Sequence, residues 1–488
     1  MKTPDHFKLG RIAACCLLTL ASAGIGNAQT AQETKEPEAT AAPTAAEPTQ
    51  KDIVMDAVAT PPAATPPRTS GTLVPTPPRT QPATTTNANA TATPAARRYA
   101  AAAHNAATAG TLAELALDLM RQQSSTTGNA QVNAVVSPLS LVSALGMVYT
   151  GTAGASASEL ATLLGTASAG ERVYTARLPV LLDELTKPGA TSAPFVMANR
   201  VWLDGTVAKA VPPSYASMVS DRFNADASIV SFAQSAAARK TINGWVAQKT
   251  ANRIPELMPD GSITSSTKLV VTNAIHFKSK WEKPFDPALT APKPFKVSPN
   301  AAAKPVPTMV DERQVRLGTI DNITVMELPF AGDQFSLMIG VPPAGHTLDA
   351  FEKDLEGLDI ASWSEHLKPT TCKLALPRFS IEPASKPLKA SLQALGVKTV
   401  FGPDADFEPM LGKVGKGVVL DNVYQSATII IDEQGGEAAA ATGATAVSKS
   451  FTPPAPSCAV DRPFIFAIVH RATGAPLFVG KIADPTQH

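Results

Sequence analysis

Residues Ser426-Ala427-Thr428-Ile429-Ile430-Ile431-Asp432 run directly into Glu433-Gln434-Gly435-Gly436-Glu437-Ala438-Ala439-Ala440-Ala441-Thr442. The first seven are rich in β-branched side chains and read as a buried strand. Alanine is the best helix former, so Glu437 to Ala441 alone would suit a helix. A helix, however, explains neither the two glycines before it nor the lack of an apolar stripe to dock it. Small residues continue through Val447, Ser448, Lys449 and Ser450, and no proline lies between Glu433 and Thr452. Such a run suits a loop that can later become a central strand: small side chains fit between packed elements, and no missing N–H interrupts a ladder. In extended form Gly436, Ala438, Ala440, Thr442, Ala444 and Ala446 share one uncharged face, with Glu437 on the other.

The segment resembles the hinge and reactive loop of the serpins, whose pattern is Glu-x-Gly-Thr/Ser-Glu, then four small residues and Thr or Ser. Gly436 stands where the family usually has Thr or Ser; it is small and uncharged, so insertion into a sheet should survive. Three more stretches carry the resemblance in the family's order. Asn133-Ala134-Val135-Val136-Ser137-Pro138-Leu139-Ser140 reads as a helix start with proline in the first turn. Leu269 to Trp281 reads as a strand with a tryptophan at its end, although Ser279 replaces a glycine of the family motif. Arg462 to Ile468 and Pro476 to Pro485 form two apolar strands around Arg471-Ala472-Thr473-Gly474, a hairpin that would finish the core. The resemblance spans about residues 104–488. It implies an α+β serpin fold: a large mixed five-stranded sheet A, smaller sheets B and C, about nine helices and an exposed reactive-centre loop.

Composition divides the chain. Residues 1–28 read as a signal peptide, with Lys2, Lys8 and Arg11 ahead of the apolar Ile12–Ile25 and a small-residue cleavage site at Gly26-Asn27-Ala28. The expected localisation is therefore secreted, extracellular or periplasmic. Ile12-Ala13-Ala14-Cys15 superficially matches a lipoprotein box, but the apolar core follows that cysteine, so a lipid-anchored form is the lesser reading. Residues 29–103 form a disordered Pro/Ala/Thr-rich linker that cannot bury enough apolar surface to offset its ordering entropy. It serves either as a stalk or as a tolerated leader. A formal net charge of +1 gives no sign of nucleic acid or strong membrane attraction. The apolar run near the N-terminus is too short to span a bilayer.

Within the globular part, Thr111 to Gln123 places Leu112, Leu115, Leu119 and Met120 at helical spacing. A second helix runs through Tyr149, and Thr150 to Gly154 breaks it before a third over Ser158–Leu164. Ala198 to Leu203, Leu328 to Phe330 and Phe335 to Pro342 read as strands, and Ala236 to Ala251 as a helix. The serpin resemblance assigns roles to several of these residues. Ser137, Ser140 and Asn273 would form a polar shutter beneath the opening sheet, and Trp281 would cap the breach where the loop enters. Leu374 to Phe379 resembles the strand beside the hinge strand, so Arg378 would pair with Glu433. Gln425-Ser426-Ala427 replaces the usual His-Lys-Ala, which removes a titrating histidine but keeps a hydrogen-bonding side chain. Cys372 and Cys458 would lie on adjacent strands of the small top sheet, either bridged or as two buried thiols.

In serpins the scissile bond lies about fifteen residues past the hinge glycine, which lands on Lys449-Ser450. Lys449 is the only basic residue between Glu437 and Asp461. A trypsin-like protease has an acidic pocket that pairs with lysine, so Lys449 reads as bait; a solvated loop lysine is the plain alternative. The resemblance implies a monomer that traps its protease covalently, one to one, with no catalytic group, metal or cofactor of its own. No Gly-x-Ser-x-Gly, His-Glu-x-x-His or phosphate loop supports an enzyme. The competing readings are a non-inhibitory serpin acting as a binding or chaperone-like module, and an adhesion protein carried on the stalk.

Overall fold

Two β-sheets built from widely separated parts of the chain organise the computed structural model, which describes residues 112–123, 132–164, scattered positions from 178 to 185, 195–354, 360–381, 385–436 and 455–487. All of these fall within one unit, Ile53–His488. The signal peptide (1–28) and linker (29–103) lie outside the described residues, as do Glu437, Ala438, Ala439, Ala440, Ala441, Thr442, Lys449 and Ser450.

In chain order the strands are β1 (Ala134–Val136), β2 (Phe195–Asp204), β3 (Asp226–Val230), β4 (Leu269–Phe277), β5 (Ser279–Lys280), β6 (Ala291–Phe295), β7 (Lys304–Ile320), β8 (Ile323–Pro329) and β9 (Phe335–Val341). They continue as β10 (Lys368–Pro377), β11 (Phe379–Ile381), β12 (Lys386–Pro387), β13 (Leu420–Ile431), β14 (Gly435–Gly436), β15 (Ser457–Ala459), β16 (Phe464–His470) and β17 (Pro476–Ile482). Among the described residues the longer helices are α1 (112–123), α2 (Pro138–Thr150), α3 (Gly154–Leu163), α4 (Pro213–Phe223) and α5 (Ser235–Lys249).

One sheet has the order β11-β13-β4-β2-β3, with β12 also on β13. Ser380 of β11 faces Ile430 and Lys386 of β12 faces Gln425, so both segments share one outer edge and the sheet has five strand positions. It is mixed: β4 runs antiparallel to β2 but parallel to β13. The second sheet runs β1-β17-β16-β9-β8-β7-β10-β15, with β6 on β7. Strand β7 pairs with β6 at its start, with β10 from Thr308 to Leu317 and with β8 at its end. The expected sheets B and C are thus the two ends of one sheet joined by β7.

Alternation along β4 feeds two cores. Leu269, Val271, Ile275 and Phe277 enter the main core, while Val270 and Ala274 point to the opposite face. That second face is covered by Ala238, Ile242 and Val246 of α5 and by the following segment from Ile254 to Ile263. Leu112, Leu115, Leu119 and Met120 of α1 are all buried in the main core, as their spacing demands.

Three boundaries differ from the sequence reading. Helix α3 begins at Gly154, whose φ of +57° carries the chain into the first turn, so the break is shorter than expected. The Leu269–Trp281 strand stops at Phe277; an exposed Lys278 interrupts it, and Trp281 instead bridges to Phe330. The run Leu374–Phe379 divides between the sheets. Leu374–Pro377 ends β10, and only Phe379 onward neighbours β13, with Arg378 at the crossing.

Candidate functional site

The hinge leaves β13 through a tight turn. Asp432 N donates to the Gly435 carbonyl at 3.0 Å, and Gly435 N donates back to the Asp432 carbonyl at 3.2 Å. The Asp432 carboxylate accepts from the backbone nitrogens of Gln434 (2.8 Å) and Gly435 (3.2 Å). The reversed chain then forms β14, antiparallel to β5, with Gly435 opposite Lys280 and Gly436 opposite Ser279. Gly435 has φ +132°, and a Cβ there would lie 2.3 Å from Ser279 O and 2.7 Å from Trp281 N. Only glycine fits that approach. A Cβ at Gly436 would point at the Phe277 ring, 3.1 Å away.

Trp281 holds this turn against the second sheet. Its backbone N donates to Gln434 O and its indole Nε1 to Asp432 O, both at 2.8 Å. The ring is buried and stacks on Phe330 with centroids 4.6 Å apart. Phe285 N adds a 2.8 Å bond to Glu433 O. The Glu433 side chain is buried; Oε1 accepts from Thr290 Oγ1 at 2.6 Å, and Oε2 lies 3.6 Å from Arg378 Nε. Arg378 is half-exposed, so water weakens that pair. The Thr290 bond was not foreseen, because nothing in Pro287–Thr290 marks it as a partner.

Below the hinge, a buried polar network crosses the seam between β4 and β13. Ser137 caps α2, ahead of Pro138 at its first turn. Asn273 Nδ2 donates to Asn199 Oδ1 at 2.6 Å and to Ser140 Oγ. Gln425 Nε2 donates to Ser137 O at 3.0 Å and to Asn273 Oδ1 at 2.9 Å. Gln425 and Asn273 are register partners across the seam. The structure therefore brings Ser137, Ser140 and Asn273 together and adds Asn199, which sequence reasoning had placed only in a strand. An asparagine within the apolar run Val196–Leu203 was the available signal.

Three rows beyond the Asn273–Gln425 pair, His276 of β4 is the register partner of Thr428 of β13. Burial pulls its imidazole down to about 4, and the Arg253 and Lys278 charges push the same way. It is neutral at pH 7. Among the described residues no three His, Cys, Asp or Glu side chains are grouped to hold a metal. None of their helices is long and apolar enough to cross a membrane.

Comparison with known proteins decides what this hinge and seam belong to. Residues 111–485 match the family model described as serpin (serine protease inhibitor). The chain is 33% identical over 387 residues to leukocyte elastase inhibitor A of Mus musculus, covering 77% of this chain and 98% of that protein. It is 31% identical over 363 residues to serpin B9 of Homo sapiens, covering 73% and 94%. The structure of native protease nexin-1 with heparin aligns at a TM-score of 0.68 and 26% identity, covering 78% of this chain and all of that one. This chain is a serpin.

In this serpin the strand that follows the loop is covalently held. Strand β15 pairs parallel with β10, Lys373 opposite Ser457 and Leu374 opposite Cys458. Cys372 and Cys458 are joined as a disulfide with Cα atoms 6.0 Å apart. Both cysteines are buried, while Ser457 and Ala459 on either side of Cys458 are exposed.

Proposed function

We propose that this serpin is a suicide inhibitor of trypsin-like serine proteases, cleaved at Lys449-Ser450 and then completed by insertion of its loop between β4 and β13. The observation that carries the reading is the pairing of Gly435 and Gly436 with Lys280 and Ser279, the first two rungs of an incoming strand. Continued without a bulge, that register sets Ala438 opposite Phe277 and Ala446 opposite Leu269, the far end of β4. Residues on the Gly436 side would then be the small series Ala438, Ala440, Thr442, Ala444 and Ala446. Because β4 and β13 are parallel, a strand running antiparallel to both satisfies its backbone on each edge. Each added hydrogen bond contributes about 0.5–1.5 kcal/mol net.

The chemistry belongs to the protease. Its serine Oγ bonds to the Lys449 carbonyl carbon, the Lys449–Ser450 C–N bond breaks, and the protease histidine passes the serine proton to the departing Ser450 amine. Insertion then draws the acyl-linked protease past Leu269, away from the breach, before water completes hydrolysis. The serpin contributes no catalytic group. The signal-peptide reading of residues 1–28 and the Cys372–Cys458 bridge support export to an oxidising compartment. The expected species is a monomer that forms a 1:1 complex.

The test is to mix the full chain with excess trypsin and run a denaturing gel. A band at the summed mass, absent for Lys449→Glu, is the expected result. Clean cleavage at Lys449 with no complex and no gain in thermal stability would overturn the reading and leave the non-inhibitory alternative.

A further inference from the structure

Glycine follows an aspartate or asparagine at three places in this chain: Asp204-Gly205, Asn243-Gly244 and Asp260-Gly261. Such steps share one side reaction. The glycine backbone nitrogen can attack the side-chain carbonyl carbon and close a five-membered succinimide, because no Cβ obstructs the approach. We infer that Asp260-Gly261 is a modification site, where the folded chain converts aspartate to isoaspartate and so presents the carboxylate that an S-adenosylmethionine-dependent isoaspartyl methyltransferase esterifies. The inference is independent of the inhibitor reading.

The fold holds the other two steps in place. Asp204 is buried, and its carboxylate accepts from Thr206 N and Phe232 N, both at 3.1 Å, from Thr206 Oγ1, and from Lys268 Nζ at 3.2 Å. Burial alone would raise this group, but those bonds bring it to about 2, so the ionised form, the poorer electrophile, dominates. Asn243 lies inside α5. Its Oδ1 accepts from Leu257 N at 3.1 Å and Met258 N at 2.7 Å, and its Nδ2 donates to Met258 O at 3.0 Å. Neither side-chain carbon can swing toward the next nitrogen without breaking these bonds.

Asp260 is placed otherwise. It sits at the tip of a turn closed by Ser262 N donating to Pro259 O at 3.1 Å, with Gly261 at φ +75°. A type II turn requires that sign of φ at its third residue. The Asp260 side chain is 92% exposed and has a single partner, Arg239 Nη2, 2.6 Å from Oδ1. An exposed pair of this kind restrains the carboxyl only weakly. Among the described residues nothing accepts from Gly261 N, and a Cβ at Gly261 would meet no atom within 4 Å. The peptide between the two residues is therefore free to rotate and bring the nitrogen onto Cγ. The flanks stay fixed, since Met258 and Ile263 are buried in the second core.

In the first step Gly261 N bonds to Asp260 Cγ, and its proton leaves with the carboxyl hydroxyl as water. Water then adds to either ring carbonyl. Breaking the bond from the nitrogen to the backbone carbonyl carbon leaves the chain running through Cβ and Cγ, with a free α-carboxylate. The methyltransferase moves one methyl group from the sulfonium to that carboxylate and releases S-adenosylhomocysteine. Arg239 keeps Glu256 at 2.8 Å whichever product forms, so the fold should survive the change.

The experiment ages the full chain at neutral pH, folded and in concentrated urea. It is then digested with trypsin, and the peptides are incubated with isoaspartyl methyltransferase and radiolabelled S-adenosylmethionine. Val201–Lys209, Thr241–Lys249 and Ile254–Lys268 separate the three steps. From the folded chain, label should build up in Ile254–Lys268 at least about tenfold faster than in the other two, because each of those must first lose a buried bond. In urea all three should label. Asp260→Glu keeps a carboxylate for Arg239 but would need a six-membered ring, and it should remove label from Ile254–Lys268 alone. No label there from the folded chain, label that persists in Asp260→Glu, or equal label at Asp204 or Asn243 would overturn the inference. Failure of Asp204 and Asn243 to label in urea would trace the selectivity to local sequence and overturn its attribution to the fold.

Discussion

The indole nitrogen of Trp281 donates to the carbonyl oxygen of Asp432 at 2.8 Å, while the backbone nitrogen of the same residue donates to Gln434. One residue thus fixes both ends of the turn from which the loop starts, and its ring rests on Phe330 of the neighbouring sheet segment. Trp281→Phe keeps much of the stacking and loses the indole bond, so it should cost about 1–2 kcal/mol. Trp281→Ala also leaves a cavity and should cost about 3–5 kcal/mol. Urea unfolding of the uncleaved protein checks both. Equal losses would mean that the indole hydrogen bond, not the packing of the ring, holds the turn.

Gly435 and Gly436 should respond very differently to substitution. At Gly435 the backbone conformation and the backbone atoms of Ser279 and Trp281 both exclude a side chain. Gly435→Ala should cost more than about 2 kcal/mol. Under the proposed inhibitory function it should also raise the amount of serpin consumed per trypsin trapped, because a misplaced first rung delays the second. At Gly436 the obstacle is the Phe277 ring, which has to give by a few tenths of an ångström. Gly436→Thr, the family's usual residue, should stay within about 1 kcal/mol and leave trapping intact. Titration against trypsin reads the difference.

The strands of this fold were legible where one residue type dominated. Phe464 to Ile468 is apolar at every position and Leu269 to Phe277 at all but Thr272, Asn273 and His276, and both are strands buried on two faces. The turn that ends in Gly435 and Gly436 was legible from its paired glycines, whereas the small residues from Glu437 on lie outside the described residues. Boundaries were not, since they depend on contacts from elsewhere in the chain. Arg378 ends a strand only because the chain passes between sheets there, and Gly154 starts a helix through its positive φ. Asn199 was missed because its role requires Ser140 and Asn273 at its side, a meeting of three distant segments.

Gln425 replaces a histidine of the family pattern yet makes two buried bonds across the seam, to Ser137 O and Asn273 Oδ1. Gln425→Leu would leave both acceptors without this donor, at a cost of about 2–3 kcal/mol. The double variant with Asn273→Leu should cost less than the sum of the two single changes, because one shared bond is counted twice. A double-mutant cycle by denaturant unfolding measures this; strict additivity would mean that the two side chains act independently.

Glu433 and Arg378 form an unequal pair. Glu433 is buried and also bonded to Thr290, whereas Arg378 is half-exposed at 3.6 Å. Arg378→Ala should therefore change stability by less than about 1 kcal/mol. Glu433→Ala removes the acceptor of both partners and should cost about 1–2 kcal/mol. Thermal unfolding of the two variants gives the order directly, and a larger loss for Arg378→Ala would contradict it.

His276 should make the uncleaved protein sensitive to mild acid. Burial, with help from Arg253 and Lys278, holds its folded-state value near about 4, below the unfolded value of about 6.5. Between those values the unfolded chain binds a proton that the folded chain does not, so stability rises with pH through that window. It is fully present above about pH 6.5 and is lost progressively as pH falls toward 4, by an amount on the order of 2 kcal/mol. Asp204 acts in a separate window. Its burial alone would raise it, but bonds from Thr206, Phe232 N and Lys268 outweigh that and bring it to about 2. Its contribution is present above the unfolded aspartate value near about 4 and disappears below it. Urea midpoints measured from pH 7 to pH 4.5 should therefore fall for the native chain and fall less for His276→Asn. An identical slope in both would place the acid sensitivity elsewhere. A slope confined to pH values below about 4 would assign it to carboxylates such as Asp204.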